Sequence, residues 1–224
     1  MKSIVVLGMH RSGTSLVAGI LHRVGVHMGD RLMQANVHNP FGYYENWDFV
    51  VLNDLILHSA GGSWDDPPSR DAILQQKHKF EHAIKTCIRM NEKEPYWGWK
   101  DPRTCLTVEL YHAFLKNPFY VICQRDKDAV VRSLVSRDGM DPIRARRLVE
   151  TYDQRIGEFL DEYKPSFAVV KYENVSRDML KLSEKIGFKL YGDSLRLIKT
   201  RPKVKLAKRI VQICDMVKGA VIRI

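Results

Sequence analysis

Apolar residues fall into two rhythms along the chain. Short, nearly unbroken runs stand at "SIVVLG" (3–8), "PFYVICQR" (118–125) and "SFAVVKYE" (166–173). Each is too short for a helix and rich in β-branched or aromatic residues, which predicts buried strands. "YWGWK" (96–100) alternates and predicts a fourth, shorter strand. After the first run, Leu16, Val17, Ile20, Leu21 and Val24 recur at helical spacing, with Ser12, Thr14 or Ser15 placed to cap the helix and Gly25 to end it. Further helices are expected over 46–60, over the more polar stretch 69–92, and after and between the later strands. Strands alternating with helices imply an α/β fold, a three-layer arrangement with a central parallel sheet and helices on both faces. No repeat, low-complexity tract or linker divides the sequence, so one domain over 1–224 is expected. Residues 30–68 are rich in Gly, Asn, Asp and Pro around the 46–60 helix, the character of a lid or substrate-binding region.

Composition narrows the class. With 45% hydrophobic and 28% charged residues the chain reads as a globular, water-soluble protein. No apolar run approaches the roughly 18 residues of a membrane span, and the first strand begins too early to leave room for a signal peptide. Cys87, Cys105, Cys123 and Cys214 lack C-x-x-C spacing, so neither a zinc site nor a disulfide framework is suggested. Reduced thiols and a cytoplasmic location are the expectation. The net charge of +10 is unevenly placed: residues 196–224 hold nine Lys or Arg against one acid, Asp215. The basic excess is therefore a C-terminal property, and no nucleic-acid partner is expected. That segment reads as a packed terminal helix or as a basic face for an anionic membrane or an acidic glycan.

The first candidate chemistry is "GMHRSGTS" (8–15), between the first strand and the first helix. Gly8 and Gly13 keep the spacing of the nucleotide-phosphate loop G-x-x-x-x-G-K-[ST], yet Thr14 stands where its Lys belongs and Arg11 lies inside the loop. Such a loop offers backbone N–H groups and a helix N-terminus to an oxyanion without a metal. A magnesium-dependent enzyme would add an aspartate at another strand end. Here Asp126 follows Arg125, and Asp101 has Lys100 beside it to compete with a divalent cation.

These residues resemble the sulfotransferase superfamily that uses 3′-phosphoadenosine-5′-phosphosulfate (PAPS), and its carbohydrate and protein-tyrosine branches in particular. "RSGTS" (11–15) matches the family's phosphosulfate loop. Arg125 and Ser133, eight residues apart in "CQRDKDAVVRSL", match its 3′-phosphate clamp; "KDPR" (100–103) and "KYENV" (171–175) match two further elements. The resemblance covers roughly residues 3–175 and implies a P-loop-type fold. It also implies a donor site of Arg11, Ser12, Gly13, Thr14, Ser15, Arg125, Ser133 and Tyr172, with PAPS as co-substrate, 3′,5′-adenosine bisphosphate (PAP) as product, and no metal. The implied activity is transfer of a sulfuryl group to a hydroxyl acceptor, carbohydrate being favoured. A small-molecule kinase using Mg-ATP and a non-catalytic PAP-binding protein are the alternatives.

In-line transfer of this kind relies on positioning and electrostatics. Arg11 and Lys100 are the expected charge stabilisers. Glu45, in "NPFGYYENWDF" (39–49), is the favoured general base, placed between aromatics expected to exclude water from it. Asp48 is placed to share a helical face with it, and His38 and His58 are rivals. Trp64, in "GGSWDDPP" (61–68), and Tyr43 and Tyr44 are candidates for stacking on a sugar or for plain packing. Arg103 faces the ligands or pairs with Asp101. In the C-terminal segment Arg201 or Lys203 stands near the place of a family element that closes over the 3′-phosphate, without its glycine.

Overall fold

The computed structural model describes residues 1–36, 39 and 42–187. The C-terminal basic segment, with Arg201, Lys203 and Cys214, lies outside the described residues, as does His38. Four strands appear where the apolar runs place them: β1 (Lys2–Leu7), β2 (Tyr96–Lys100), β3 (Pro118–Gln124) and β4 (Ser166–Lys171). They form one sheet in the order β2-β1-β3-β4, and every neighbouring pair is parallel.

Side chains of alternate parity feed two separate cores, as a pleated strand requires. Val5 and Leu7 of β1 and Tyr120 and Ile122 of β3 pack on one face. The helices there are α2 (Trp47–Ser59), α3 (Arg70–Leu74), α4 (Lys77–Asn91), α5 (Thr104–His112), α6 (Lys127–Asp138) and α7 (Pro142–Tyr163). Ile4, Val6, Phe119 and Val121 point the other way, onto α1 (Thr14–Arg23) and α8 (Val175–Ile186). The fold is thus α/β with helices on both faces of a central parallel sheet. No helix among the described residues is long and apolar enough to cross a membrane.

Three expectations need correction. The polar stretch 69–92 is two helices: Ser69 Oγ caps the first by accepting from Ala72 N–H, and the ladder tightens to an i→i−3 bond at Gln76 before restarting. Among the described residues β4 is an edge strand rather than a buried one, with Phe167 and Val169 on its open face 40% and 36% exposed. Helix α1 has no side-chain cap; Gly13, at φ 91°, occupies the N-cap position.

Two close approaches fix the sheet and the loop beside it. A Cβ on Gly98 would lie 1.9 Å from the Ile4 carbonyl oxygen, so only glycine fits where β2 meets β1. A Cβ on Gly13 would lie 2.6 Å from Tyr172 Cδ2. From β1 the chain passes to β2 on one side and reaches β3 on the other, so the order reverses at β1. Ligands of open α/β sheets bind beyond the carboxyl ends of the strands at such a point. The Gly8–Gly13 loop, Lys100, Arg125 and Tyr172 all lie at that end.

Candidate active site

The loop leaves β1 at Gly8, whose N–H is 3.1 Å from the buried Cys105 Sγ. It turns through Arg11, which holds φ at 72° without being glycine, a conformation that costs energy and recurs at functional sites. Within the turn the Ser12 N–H is bonded to the Met9 carbonyl at 3.1 Å, so of the donor-site residues Ser12 has no open backbone donor. The first N–H groups of α1 follow, which a helix leaves without partners in its own ladder.

On the β3 side the loop is gripped by its own neighbours. Arg11 Nε donates to Ser133 Oγ at 2.9 Å, reaching into α6. Arg125, just past β3, donates from Nη1 to the Arg11 carbonyl at 2.9 Å, and its guanidinium lies 4.6 Å from the centroid of the Tyr172 ring. Tyr172 in turn covers Gly13. Arg11, Gly13, Arg125, Ser133 and Tyr172 are therefore one cluster, gathered from four places in the sequence. Two guanidinium groups at a helix N-terminus provide directional donors and positive potential for phosphate-type oxyanions.

On the β2 side lies a buried ion pair. Lys100, the last residue of β2, is 1% exposed and pairs with Glu45, itself 6% exposed. Its Nζ also reaches Ser15 Oγ, at 3.3 Å, on the first turn of α1. Glu45 is held from behind: its carbonyl accepts from Met33 N–H at 2.7 Å, and Trp47 N–H donates to the Arg31 carbonyl at 2.9 Å. The neighbour that decides the environment of Glu45 is therefore a cation, with the flanking aromatics secondary.

Behind Lys100, Asp101 is fully buried and accepts from Asn53 Nδ2 at 2.8 Å and Arg103 Nη1 at 2.9 Å. Burial pushes its carboxyl above the ordinary carboxylate range, and the Arg103 charge opposes that. Asn53 is saturated: it also donates to Thr104 Oγ1 and accepts from Thr107 Oγ1 and Tyr111 Oη. Arg103 is thereby assigned to Asp101, and its Nε sits 2.6 Å from Asp54 Oδ1 as a charge contact without a directed hydrogen bond.

Several candidates fall elsewhere. Asp48 does not share a face with Glu45, because Glu45 precedes the helix N-cap Asn46; Asp48 binds Arg31 and Asn91 instead. His58 is bonded through Nδ1 to the Asp54 carbonyl on the surface. Tyr43 donates to Asn36 Oδ1, and Tyr44 packs on the α1–α8 core. Trp64 is partly buried against the other core. Sequence reasoning missed Asn53, whose signal is an amide on the buried face of an apolar helix. It also missed His10, whose ring lies 4.5 Å from that of Trp64.

Comparison with known proteins gives a consistent result. The family model described as "Sulfotransferase family" matches residues 3–187. No curated protein matches the sequence. Among solved structures, the sulfotransferase domain from the Synechococcus PCC 7002 olefin synthase is similar with a TM-score of 0.58 and 13% identity, over 88% of this chain and 77% of that one. The sulfotransferase domain from the curacin biosynthetic pathway gives a TM-score of 0.55 and 15% identity, over 87% and 76%. Likeness at such identities is one of fold.

Proposed function

Because this chain belongs to the sulfotransferase family, we propose that it moves a sulfuryl group from PAPS to a hydroxyl of a carbohydrate or another small acceptor, without a metal. The observation that carries the reading is the buried Lys100–Glu45 pair within reach of Ser15 on the loop helix. It sets a cation and a carboxylate together beside an oxyanion-binding loop, the two charges an in-line transfer to a hydroxyl calls for.

The chain's residues divide the work. Arg11, the opening N–H groups of α1 and the hydroxyls of Ser12, Thr14 and Ser15 would hold the phosphosulfate; Arg125 and Ser133 would hold the 3′-phosphate, with Tyr172 keeping Arg125 in place. The fit is supported by an α1 N-terminus free of any side-chain cap. In the transfer, the acceptor oxygen forms a bond to sulfur as the sulfur–oxygen bond to the phosphate breaks. The hydroxyl proton passes to Glu45, and Lys100 offsets charge growing on the departing oxygen. Asp101 is turned into the protein by Asn53 and Arg103, which argues against its use for Mg-ATP.

Thermal shift separates the readings. PAP without metal should raise the melting temperature, and wild-type protein should transfer sulfate from PAPS to an added sugar alcohol. Stabilisation by Mg-ATP alone would defeat the proposal, whereas PAP binding with no turnover would leave a non-catalytic nucleotide-binding protein.

A further inference from the structure

Most buried polar atoms find a partner, and an orphan calls for a cause. His10 carries such an orphan inside the loop: its Nε2 is sealed from solvent and has no hydrogen-bond partner among the described residues. One ring face lies against Trp64 at 4.5 Å, tilted 48°, with Tyr152 edge-on at 6.2 Å. Hydrogen bonds pin the Trp64 segment through its backbone and neighbours, while the indole is held by packing. Tyr152 Oη donates to the Trp64 carbonyl at 2.9 Å, Arg144 holds Asp65, and Ser63 closes the turn with Asp66. Among the described residues no hydrogen bond holds the indole itself, and its contacts are the core and the His10 ring.

The charges around the imidazole are those of Arg103, Lys100, Arg137 and Arg11. Each is already engaged: Arg103 with Asp101 and Asp54, Lys100 with Glu45, Arg137 with Asp138, and Arg11 with Ser133. Burial and these cations keep the ring uncharged. An uncharged imidazole nitrogen with no hydrogen-bond partner among the described residues suits a neutral hydroxyl, which can donate to it. A carboxylate has no proton to donate to a bare Nε2.

We propose that His10 and Trp64 form the acceptor subsite: the indole turns aside to stack on the flat face of a neutral polyhydroxy ring, and one ring hydroxyl donates to His10 Nε2. His10 thereby selects the acceptor, while the proton of the transferred oxygen still goes to Glu45. This rests on the sulfotransfer reading above and names the chemistry of its acceptor as a neutral pyranoside-like polyol.

The test uses PAP-loaded full-length protein with methyl β-glucopyranoside, and the matching glucuronide as the anionic control. In histidine-labelled protein the glucoside should shift the His10 ring nitrogen resonance and alter Trp64 fluorescence, the latter change vanishing in Trp64→Phe. His10→Phe, which keeps a ring against Trp64, should weaken the glucoside about tenfold or more and leave stabilisation by PAP unchanged. Absence of glucoside binding, an unmoved His10 resonance at saturation, tighter binding of the glucuronide, or equal affinity in His10→Phe each overturns the subsite. The wild-type resonance decides the matter even if a variant folds poorly. Failure of PAP to bind would instead strike at the sulfotransfer reading itself.

Discussion

The two flanks of the Gly8–Gly13 loop are built in opposite ways. Toward β3, Arg11, Arg125, Ser133 and Tyr172 hold one another through part-buried hydrogen bonds and a ring contact, with guanidinium groups at the loop's edge. Toward β2, Lys100 and Glu45 spend their charges on each other in a nearly dry interior. The first flank is organised before any ligand arrives; the second is self-neutralised, and on the proposed function its chemistry begins when a ligand competes for Lys100. A site can be preorganised on one side and held in reserve on the other.

The sharpest way to break this contrast is Lys100→Ala. Leaving Glu45 buried without its partner should cost about 3–5 kcal/mol of stability, read by denaturant unfolding. A Lys100→Met, Glu45→Gln double variant should regain most of that stability yet transfer sulfate about 10²–10³ times more slowly. An unchanged unfolding midpoint in Lys100→Ala would mean that the pair is not the reserve described. On the β3 flank, Gly13→Ala should cost about 1–3 kcal/mol, because the residue holds φ at 91° and its Cβ would strike Tyr172. It should also abolish PAP-induced stabilisation. Arg125→Ala should fold normally and bind PAP about 10–100 times more weakly, the worth of a charge-assisted bond; calorimetric titration measures it.

The smallest effect concerns pH. The His10 ring is held well below its ordinary pKa by burial and then by Arg103, and burial lowers His22 and His112 as well. The unfolded chain therefore binds more protons than the folded one below the ordinary histidine value of about 6.5. Stability is full above that value and falls as pH drops through it, by at most about 1.4 kcal/mol per pH unit for each group. Thermal melts from pH 7.5 to 5.5 should show the loss, and His10→Phe should lessen it, His22 and His112 supplying the rest.

What the sequence disclosed follows the same divide. The β3 flank is spelled by motifs: Arg125 and Ser133 are eight residues apart, and the loop announces itself by its glycines. Parallel strands were legible because fully buried strands are written as unbroken apolar runs. The β2 flank needs tertiary knowledge. Glu45 meets Lys100 across 55 residues of chain, and nothing local distinguishes it from Asp48 until Asn46 is known to begin the helix between them. His10 was silent because its meaning lies in Trp64, brought to it from a separate loop. β4 misled because apolar composition shows what a strand prefers and leaves open whether a neighbour covers it.

Gly98 carries a consequence in the language of mutational tolerance. It lies two residues before Lys100, on the strand that delivers that lysine, with the Ile4 carbonyl where a side chain would go. It has no group to offer a ligand and no chemistry of its own. Yet any replacement would pry β2 from β1 and carry Lys100 with it, so a saturation scan should score Gly98 as intolerant as the residues at the reacting centre. The reach of the active site into sequence space thus includes a position defined only by the room it leaves.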